Sequence, residues 1–217
     1  MATGTLRIVE ATREHAPFIA WVTLTAFRSQ LERGFWDFML EGDEAYKLRY
    51  LEALVQTEQL HWVHHSAFIV AEVDSRPASA LCGYFEHELG GPTLRAAGIE
   101  ANQATGRTEA EAAAGFERAK SIMNVLPEHP PGAWIVENVA TLAEFRRRGL
   151  VDRLMEEILE RGRTRGATVA DISVFIGNDP AQRAYEKCGF RAVAEKLDPE
   201  FESAYKTPGT RTLRRAL

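Results

Sequence analysis

Several signals that mark common protein classes are absent from this sequence. Its only two cysteines, Cys82 and Cys188, have a spacing that suggests neither a disulfide framework nor a zinc site. The sequence alone does not decide whether these two cysteines form a single disulfide bond. No run approaches the ~20 apolar residues needed to cross a bilayer, and the start, MATGTLRIVE, holds no apolar signal segment. The net charge of −5 argues against broad binding of nucleic acid or acidic membranes. We therefore expect a cytoplasmic protein with neither kind of partner.

Two nucleotide-binding motifs are also missing, namely the GxxxxGK[ST] loop and the GxGxxG fingerprint. The chain has instead a basic glycine turn, Arg146 to Gly149, and then apolar residues at helical spacing from Leu150 to Ile158. The first turn of a helix offers unpaired N–H groups and the positive end of the helix dipole, which together favour phosphate. Glycine lets a ligand approach the backbone because it has no Cβ. Taken alone, the motif fits a phosphate site or a solvated basic turn.

At 217 residues with 45% hydrophobic content, the chain is long enough for one good core, and we expect one domain over residues 1–217. Alternation and turn residues predict strands at 6–11, 67–73, 79–88, 134–141 and 166–174, and two more in the tail from 192 to 217. Apolar spacing and capping residues predict helices from 13, over 43–56, over 108–126 and from 149.

Residues 89–132 form an inserted loop and helix between the third and fourth predicted strands. Residues 89–107 are rich in glycine and small side chains without a clear period, and Thr108 to Glu111 form a capping box before a helix. Long ordered loops are commonly lids or binding loops. The insertion is predicted to cover or extend a substrate pocket, with a dimer contact or surface decoration as alternatives.

The order of the pieces identifies a family. An Arg-x-x-Gly turn after a strand, then a helix, a second strand ending in Asn178, and AxxxYEKCGF resembles the GCN5-related N-acetyltransferase (GNAT) family. The resemblance implies the acyl-CoA N-acyltransferase fold: α/β, with a mixed, mostly antiparallel sheet of about seven strands flanked by helices. The fourth and fifth strands would be parallel and splayed. It also implies direct transfer of acetyl from acetyl-CoA to an amine of a small molecule, protein or peptide, without a metal.

Site residues follow from the resemblance by position. Val139, Ala140 and Thr141 correspond to the strand end that pairs with pantetheine, and Arg147, Arg148, Gly149, Leu150, Val151 and Asp152 to the pyrophosphate loop. Asn178 and Tyr185 would lie near the thioester, with Tyr185 as general acid. Glu137 is the candidate base, and Asp171 is the alternative on the fifth strand. Val151 departs from the family pattern R/Q-x-x-G-x-G/A, and Asp152 brings a carboxylate near phosphate.

Other residues carry weaker functional interpretations. The aromatic side chains Phe35, Trp36 and Phe38 either contact the acceptor or pack in the core. His61 and His65 would share a helix face as zinc ligands can, but no carboxylate accompanies them, so packed histidines are favoured. Cys188 is expected to be a packing residue.

Two other functions stay open beside acetyl transfer. One is a non-catalytic acyl-CoA-binding sensor or recruitment module, which would need the glycine turn but not Tyr185 or Glu137. The other is a different phosphate-ligand protein, which would leave Asn178 and Tyr185 unexplained. Charge attraction mildly favours a cationic acceptor such as a polyamine or an aminoglycoside. The oligomeric state is undecided, with a homodimer among the options.

Overall fold

The computed structural model describes residues 5–217, so the first four residues of the predicted domain lie outside it. One seven-stranded sheet has the order β1-β2-β3-β4-β5-β7-β6. Its strands are β1 (Leu6–Glu10), β2 (Phe68–Val73), β3 (Arg76–Phe85), β4 (Trp134–Thr141), β5 (Val169–Phe175), β6 (Arg191–Leu197) and β7 (Gly209–Ala216). Among the strand pairs formed by residues 5–217, only β4–β5 is parallel. The predicted fold class is confirmed.

Helices cover both faces of this sheet. They are α1 (Ala16–Arg28), α2 (Phe35–Met39), α3 (Glu44–Val55), α4 (Glu86–Leu89), α5 (Gly91–Thr105), α6 (Glu109–Ala119), α7 (Leu150–Thr164), α8 (Asp179–Lys187) and α9 (Pro199–Tyr205). Short 3-10 segments occur at Arg13–His15, His65–Ala67, Lys120–Val125 and Ala143–Phe145. None of the helices in the described part of the chain combines the length and apolar character that crossing a bilayer requires.

Two cores lie on opposite faces of the sheet because successive strand residues point to opposite sides. On β4, Trp134 and Val136 pack in the core that contains the apolar side of α7. Ile135 belongs to the other core, with α1 and α3. The residues that follow Ile135 on the α1 side of β4 therefore face the space between α1 and the sheet.

The fourth and fifth strands separate after three residue pairs. β4 pairs with β5 only from Trp134 to Val136, opposite Ala170 to Ile172. Just beyond, the β3–β4 register shifts and Asn138 has φ +55°, a left-handed conformation that is uncommon outside glycine. An extra residue in one strand bends it and increases its twist. This bulge coincides with the point where β4 leaves β5, and a cleft opens there.

Several local predictions differ from the structure. Residues 91–105 form a helix rather than a loop: Gly90 is its N-cap, Pro92 lies in its first turn, and Gly106 ends it in the left-handed region. Its buried face is only Ala97 and Ala101, so small residues in contact with α3 concealed the helical period.

Other boundaries also differ from those predicted. The third strand spans Arg76–Phe85 rather than 79–88, because the chain turns into α4 at Glu86. The helix expected over 108–126 stops being α-helical at Ala119 and continues as the 3-10 segment to Val125. The tail holds α9 between its two strands, capped by Asp198, whose side chain accepts the Phe201 N–H at 2.7 Å. An Asp followed by Pro is a helix-start signal that composition alone hid. The fifth strand starts at Val169 rather than at 166.

Candidate active site

A cleft of about 480 Å³ lies where β4 and β5 separate. The lining comes from the end of α1 with Ser29, part of the insertion between residues 122 and 127, the ends of β4 and β5, the glycine turn with the start of α7, Asn178 with α8, and Thr210 of β7. The lining side chains used below are Phe27, Glu137, Asn138, Val139, Ala140, Thr141, Arg146, Val151, Phe175, Asn178 and Tyr185. Residues distant in sequence therefore meet in one concave site, which is the usual form of a small-molecule site.

The end of β4 gives this cleft an open backbone edge. Val139, Ala140 and Thr141 all line it, and Ala140 and Thr141 pair on their other side with Ala80 and Ser79 of β3. The β4–β5 ladder stops at Val136, so within residues 5–217 no strand pairs with that edge beyond the bulge. Exposed strand groups of this kind accept an extended ligand as they would a neighbouring strand.

The glycine turn places the start of α7 at the same cleft. Gly149 is the N-cap of α7 and has φ +75°. The space beside it is open: a Cβ added to Gly149 would have one heavy atom within 4 Å, Asp152 Oδ2 at 3.8 Å. Arg146 lines the cleft, and its Nε donates a hydrogen bond to the Thr141 carbonyl at 3.2 Å. Val151 also lines the cleft, so the departure from the family pattern puts a branched side chain into it.

Four predicted pyrophosphate residues have side chains outside the cleft. The Arg148 guanidinium carbon lies 5.1 Å from the centroid of the Phe145 ring, and Leu150 is buried in the core. Asp152 forms an ion pair with Lys187 beside a separate surface depression. Arg147 is exposed, with φ +61°. Any contact of Leu150 or Asp152 with a phosphate would be through the backbone N–H. The Asp152 charge is balanced by Lys187.

Asn178 and Tyr185 line the cleft from the side of α8. The Asn178 carbonyl oxygen caps α8 by accepting the Ala181 N–H, and its amide donates to the Ser29 hydroxyl at 2.6 Å. Asn178 thus ties α8 to the end of α1. The Tyr185 side chain is buried, and within the described residues its hydroxyl has no hydrogen-bond partner. Burial, and the nearby Cys188, raise the pKa of Tyr185 above its ordinary value, so the phenol stays protonated.

Glu137 faces the cleft from β4, directly before the bulge. Its Oε2 accepts a hydrogen bond from the Tyr84 hydroxyl of β3 at 3.1 Å. Burial raises the pKa of Glu137 to about 7, while the Tyr84 hydrogen bond and the His129 charge act to lower it and Glu86 acts to raise it. A carboxylate that titrates near neutral pH is suited to take and release protons.

The comparisons with known proteins identify the family. The family model described as Acetyltransferase (GNAT) family matches residues 29–190. The chain belongs to this family. It is therefore an N-acetyltransferase that passes an acetyl group from acetyl-CoA to an amine. The comparisons lend no support to the alternative of a non-catalytic sensor.

Solved acetyltransferases share the fold. The crystal structure of one acetyltransferase is 18% identical to this chain with a TM-score of 0.68, and the match covers 97% of this chain and 98% of that one. The N-acetyltransferase of Staphylococcus aureus Mu50 is 18% identical with a TM-score of 0.64, covering 96% and 100%. The polyamine N-acetyltransferase of Drosophila melanogaster is 16% identical with a TM-score of 0.56, covering 98% and 100%. Among curated protein sequences no match was found.

The residues of this acetyltransferase fit acetyl-CoA. The unpaired edge of β4 suits the amide groups of pantetheine, and the first N–H groups of α7 suit pyrophosphate because they have no partners within the helix. When bound, acetyl-CoA supplies an activated acyl thioester. In residues 5–217 no three His, Cys, Asp or Glu side chains are arranged to hold a metal ion.

Asp171, the alternative base, is engaged elsewhere in this acetyltransferase. Its carboxylate receives two hydrogen bonds from Arg214, at 2.7 and 2.8 Å, and one from His129 at 2.9 Å. These partners hold the pKa of Asp171 below its ordinary value although the group is buried. A fully paired carboxylate of low pKa is a poor base, and Asp171 does not line the cleft.

The three aromatic candidates of residues 28–42 lie away from the cleft lining. Trp36 is buried against Phe27, and Phe38 packs on Tyr205 at 4.6 Å between ring centroids. Phe35 lies edge-on against Trp36 at 5.0 Å. These rings therefore pack in the core rather than contacting the acceptor, and packing was one of the two interpretations of their sequence.

The histidines of the HWVHH segment and the two cysteines lie in environments that indicate a structural role. His61 is buried and its Nε2 lies 3.0 Å from the Leu54 carbonyl, while His64 caps the 3-10 segment at His65 by accepting the Ser66 N–H. This segment is not the helix that a shared zinc face would need. Cys82 and Cys188 are both unpaired thiols, and Cys188 packs beside the second core.

Two contributors to the site were missed from the sequence, Tyr84 on the strand beside Glu137 and His129 in the PEHPPG segment. Arg146 had a signal, because it is the first arginine of the predicted basic turn, but it was not among the predicted cofactor-binding residues. Tyr84 and His129 had none, since each acts through a partner far away in the chain.

Proposed function

We propose that this acetyltransferase uses Glu137 as the base and Tyr185 as the hydrogen-bond donor to the departing thiolate, and acts on a small primary amine with an apolar substituent. One observation carries the proposal: Glu137 and Tyr185 line the same cleft, next to the open edge of β4 and the start of α7. Both catalytic functions and both halves of the reaction then share one site.

Glu137 is suited to the first proton transfer. An ammonium group cannot attack a thioester until it has lost a proton. With a pKa raised to about 7, the carboxylate accepts that proton more readily than an ordinary glutamate, and it still ionises near neutral pH. Its place at the bulge puts it on the cleft wall, where the amine would enter.

Tyr185 is suited to the departure of the thiolate. A cysteine thiol has a reference pKa of about 8.5, and we expect the departing thiol likewise to be a stronger acid than a buried phenol. The Tyr185 hydroxyl is thus best placed to stabilise the thiolate as a hydrogen-bond donor. Its free hydroxyl supports this role, because no group in the described part of the chain competes for the hydrogen.

On the donor side, backbone groups would do most of the binding. The β4 edge at Val139 to Thr141 would hold pantetheine, and the N–H groups from Gly149 to Asp152 would hold pyrophosphate. Arg146 would add charge from inside the cleft, and Arg147 and Arg148 from its rim. Asn178 would act mainly by fixing α8, since both ends of its amide are already engaged.

The lining of the cleft favours an acceptor with one positive charge. Glu137 is the only acidic residue among the described residues that line it, and the walls around it are largely apolar, with Phe27, Ile122, Leu126 and Phe175. A polyamine or aminoglycoside would bury further ammonium groups without partners, which is costly. We therefore favour an apolar monoamine over the polycation that overall charge suggested, and over a peptide amine.

Segment 89–132 would form the acceptor wall of a single domain. Four of its residues, Ile122, Val125, Leu126 and Pro127, contribute to the cleft lining, and Tyr205 of α9 supports the segment from behind through a hydrogen bond to the Ala119 carbonyl at 3.1 Å. This supports a role in acceptor choice rather than surface decoration. Replacing Leu126 by Asp should raise the KM for apolar amines and leave that for acetyl-CoA nearly unchanged.

The decisive experiment follows thiol release from acetyl-CoA with a panel of amines. Matched sets would compare apolar monoamines, diamines, polyamines, aminoglycosides and peptides with free N-termini. We expect the highest kcat/KM with apolar monoamines, and loss of turnover in Glu137→Gln. A preference for polyamines or peptides would overturn the acceptor class, and full activity of Glu137→Gln would overturn the base.

A further inference from the structure

The turn after α1 holds a serine in a backbone conformation that normally belongs to glycine. Ser29 has φ +56° and ψ −123°. The Leu31 N–H donates a hydrogen bond to the Arg28 carbonyl at 2.8 Å, so residues 28–31 form a β-turn with Ser29 at its second position. These angles are those of a type II′ turn, whose second position favours glycine because a Cβ is disfavoured there.

The Ser29 hydroxyl makes two short hydrogen bonds at the cleft. It accepts from Asn178 Nδ2 and donates to Gln30 Oε1, both at 2.6 Å, and Ser29 itself lines the cleft. A second link runs in parallel, since Gln30 Nε2 donates to the Ile176 carbonyl at 3.4 Å. Strained residues other than glycine persist where their surroundings hold them, and they cluster at functional sites. The hydroxyl is the group that glycine could not supply here.

The Ser29–Asn178 bond joins elements from opposite faces of the sheet. α1 packs in the first core, whereas Tyr185 of α8 belongs to the second core, on the other face. The strand β5 lies between these faces and ends at Phe175, so the bond passes around the end of β5. The turn therefore connects the acceptor side of the cleft to the helix that carries Tyr185.

The position of the Tyr185 hydroxyl depends on the placement of α8. Within residues 5–217 that hydroxyl has no hydrogen-bond partner, so packing and the helix itself must hold it. The C-terminal end of α8 is held by the ion pair of Lys187 with Asp152. Its N-terminal end is held at the N-cap Asn178, about two turns before Tyr185, by the bond to Ser29. A displacement of about 1 Å from catalytic geometry can cost about 10²-fold in rate.

We infer that Ser29 is a positioning residue for acetyl transfer: by holding Asn178 it fixes the start of α8 and keeps the Tyr185 hydroxyl directed at the departing thiolate. The inference rests on the proposed role of Tyr185. It also gives a reason for a serine where the turn favours glycine, because glycine would relax the turn and release α8.

The test compares Ser29→Gly with Ser29→Ala, following thiol release from acetyl-CoA and the thermal midpoint Tm. Both variants lose the hydroxyl, but only glycine relieves the turn. We expect kcat to fall about ten-fold in both, with Tm higher in Ser29→Gly than in Ser29→Ala. The acetyl-CoA KM should stay nearly unchanged, since the β4 edge and the start of α7 are untouched. Ser29→Gly provides the readout if Ser29→Ala does not fold.

A matched control is Ser75→Gly. Ser75 is an exposed serine with φ +60° in the turn between β2 and β3, and it does not line the cleft. The same chemical change at this left-handed residue should leave kcat at the wild-type value. A rate that followed relief of turn strain alone would change in both variants.

A double variant shows whether Ser29 acts through Tyr185. Residues that act as one unit have effects that do not add. Introducing Ser29→Gly into Tyr185→Phe should therefore lower kcat no further, whereas the same change in the wild type lowers it about ten-fold.

The inference fails if Ser29→Gly turns over at the wild-type rate, or if Ser75→Gly loses as much activity. It also fails if Ser29→Gly lowers the kcat of Tyr185→Phe as much as it lowers that of the wild type. The role of Tyr185 is judged separately. Full activity of Tyr185→Phe places the fault in the proposed function, whereas an impaired Tyr185→Phe beside a fully active Ser29→Gly rejects only the role of Ser29.

Discussion

Tyr84 on β3 donates its hydroxyl hydrogen to Oε2 of Glu137 on β4, at 3.1 Å. The two residues are diagonal neighbours in the sheet, since Tyr84 pairs with Ile135 and Glu137 pairs with Cys82. The hydrogen bond favours the ionised carboxylate, and burial opposes it. The pKa of Glu137 is thereby set at about 7, where a base operates best at neutral pH.

The first prediction concerns the pH dependence of the wild-type enzyme. The base must be ionised, so kcat/KM should rise with pH through a midpoint near the pKa of Glu137, about 7. Glu137→Gln should lower kcat/KM by roughly 10²–10⁴-fold and lose this limb, while the acetyl-CoA KM stays nearly constant. A limb that persists in Glu137→Gln would assign the titration to another group.

Replacing Tyr84 by Phe should move that midpoint to higher pH. The substitution removes the hydrogen bond that lowers the pKa of Glu137 and leaves the burial that raises it. Tyr46→Phe, on the partly exposed side of α3, is the matched control and should leave the profile unchanged. An unchanged or lower midpoint in Tyr84→Phe would show that this bond does not tune the base.

Tyr185→Phe should lower kcat by about 10²-fold, because the thiolate loses its hydrogen-bond donor, and leave the acetyl-CoA KM nearly intact. Tyr205→Phe is the control: it removes another buried hydroxyl, bonded to the Ala119 carbonyl outside the cleft, and should lower stability rather than kcat. Wild-type turnover in Tyr185→Phe, measured as thiol release, would refute the role.

Gly149→Ala should raise the acetyl-CoA KM. The residue has φ +75°, which costs an alanine about 1–2 kcal/mol, so the turn would relax and displace the first N–H groups of α7. Gly106→Ala is a close match, with φ +71° at the end of α5, and should lower Tm without changing KM. Equal KM values in the two variants would place pyrophosphate elsewhere.

Acid should destabilise the fold through the buried histidines. Burial lowers the pKa of both His61 and His64 to about 4. The unfolded chain takes up these protons below about 6.5 and the folded chain does not, so the free energy of unfolding falls as pH drops from about 6.5 to 4. For one such histidine the loss is about 3 kcal/mol.

His64→Asn isolates one of these contributions. Asparagine can keep the cap on the Ser66 N–H and does not titrate, so urea unfolding between pH 8 and 4 should show a shallower decline. His87→Asn, at a largely exposed histidine, should retain the wild-type slope. The same decline in all three proteins would mean that His64 is already protonated in the folded state or contributes nothing.

Much of the fold was predictable from local patterns. The strands and the helix after Gly149 follow from apolar periods and turn residues, which act over short stretches of chain. The sequence was weakest where small residues or capping pairs replaced a strong apolar period, as at Ala97 and Ala101 of α5 and at Asp198 before α9. There the evidence for a helix lies in what it packs against.

By itself, the sequence determined the family, the acetyl-transfer chemistry and the glycine turn at Gly149, because these depend on residue types at fixed spacings along one chain segment. The tertiary structure alone decided that Glu137 faces the cleft beside Tyr84 while Asp171 is taken by Arg214 and His129. The physical reason is that burial and neighbouring charges set the protonation of a carboxylate. Those neighbours come from other strands and from the insertion, at distances along the chain that no local pattern records.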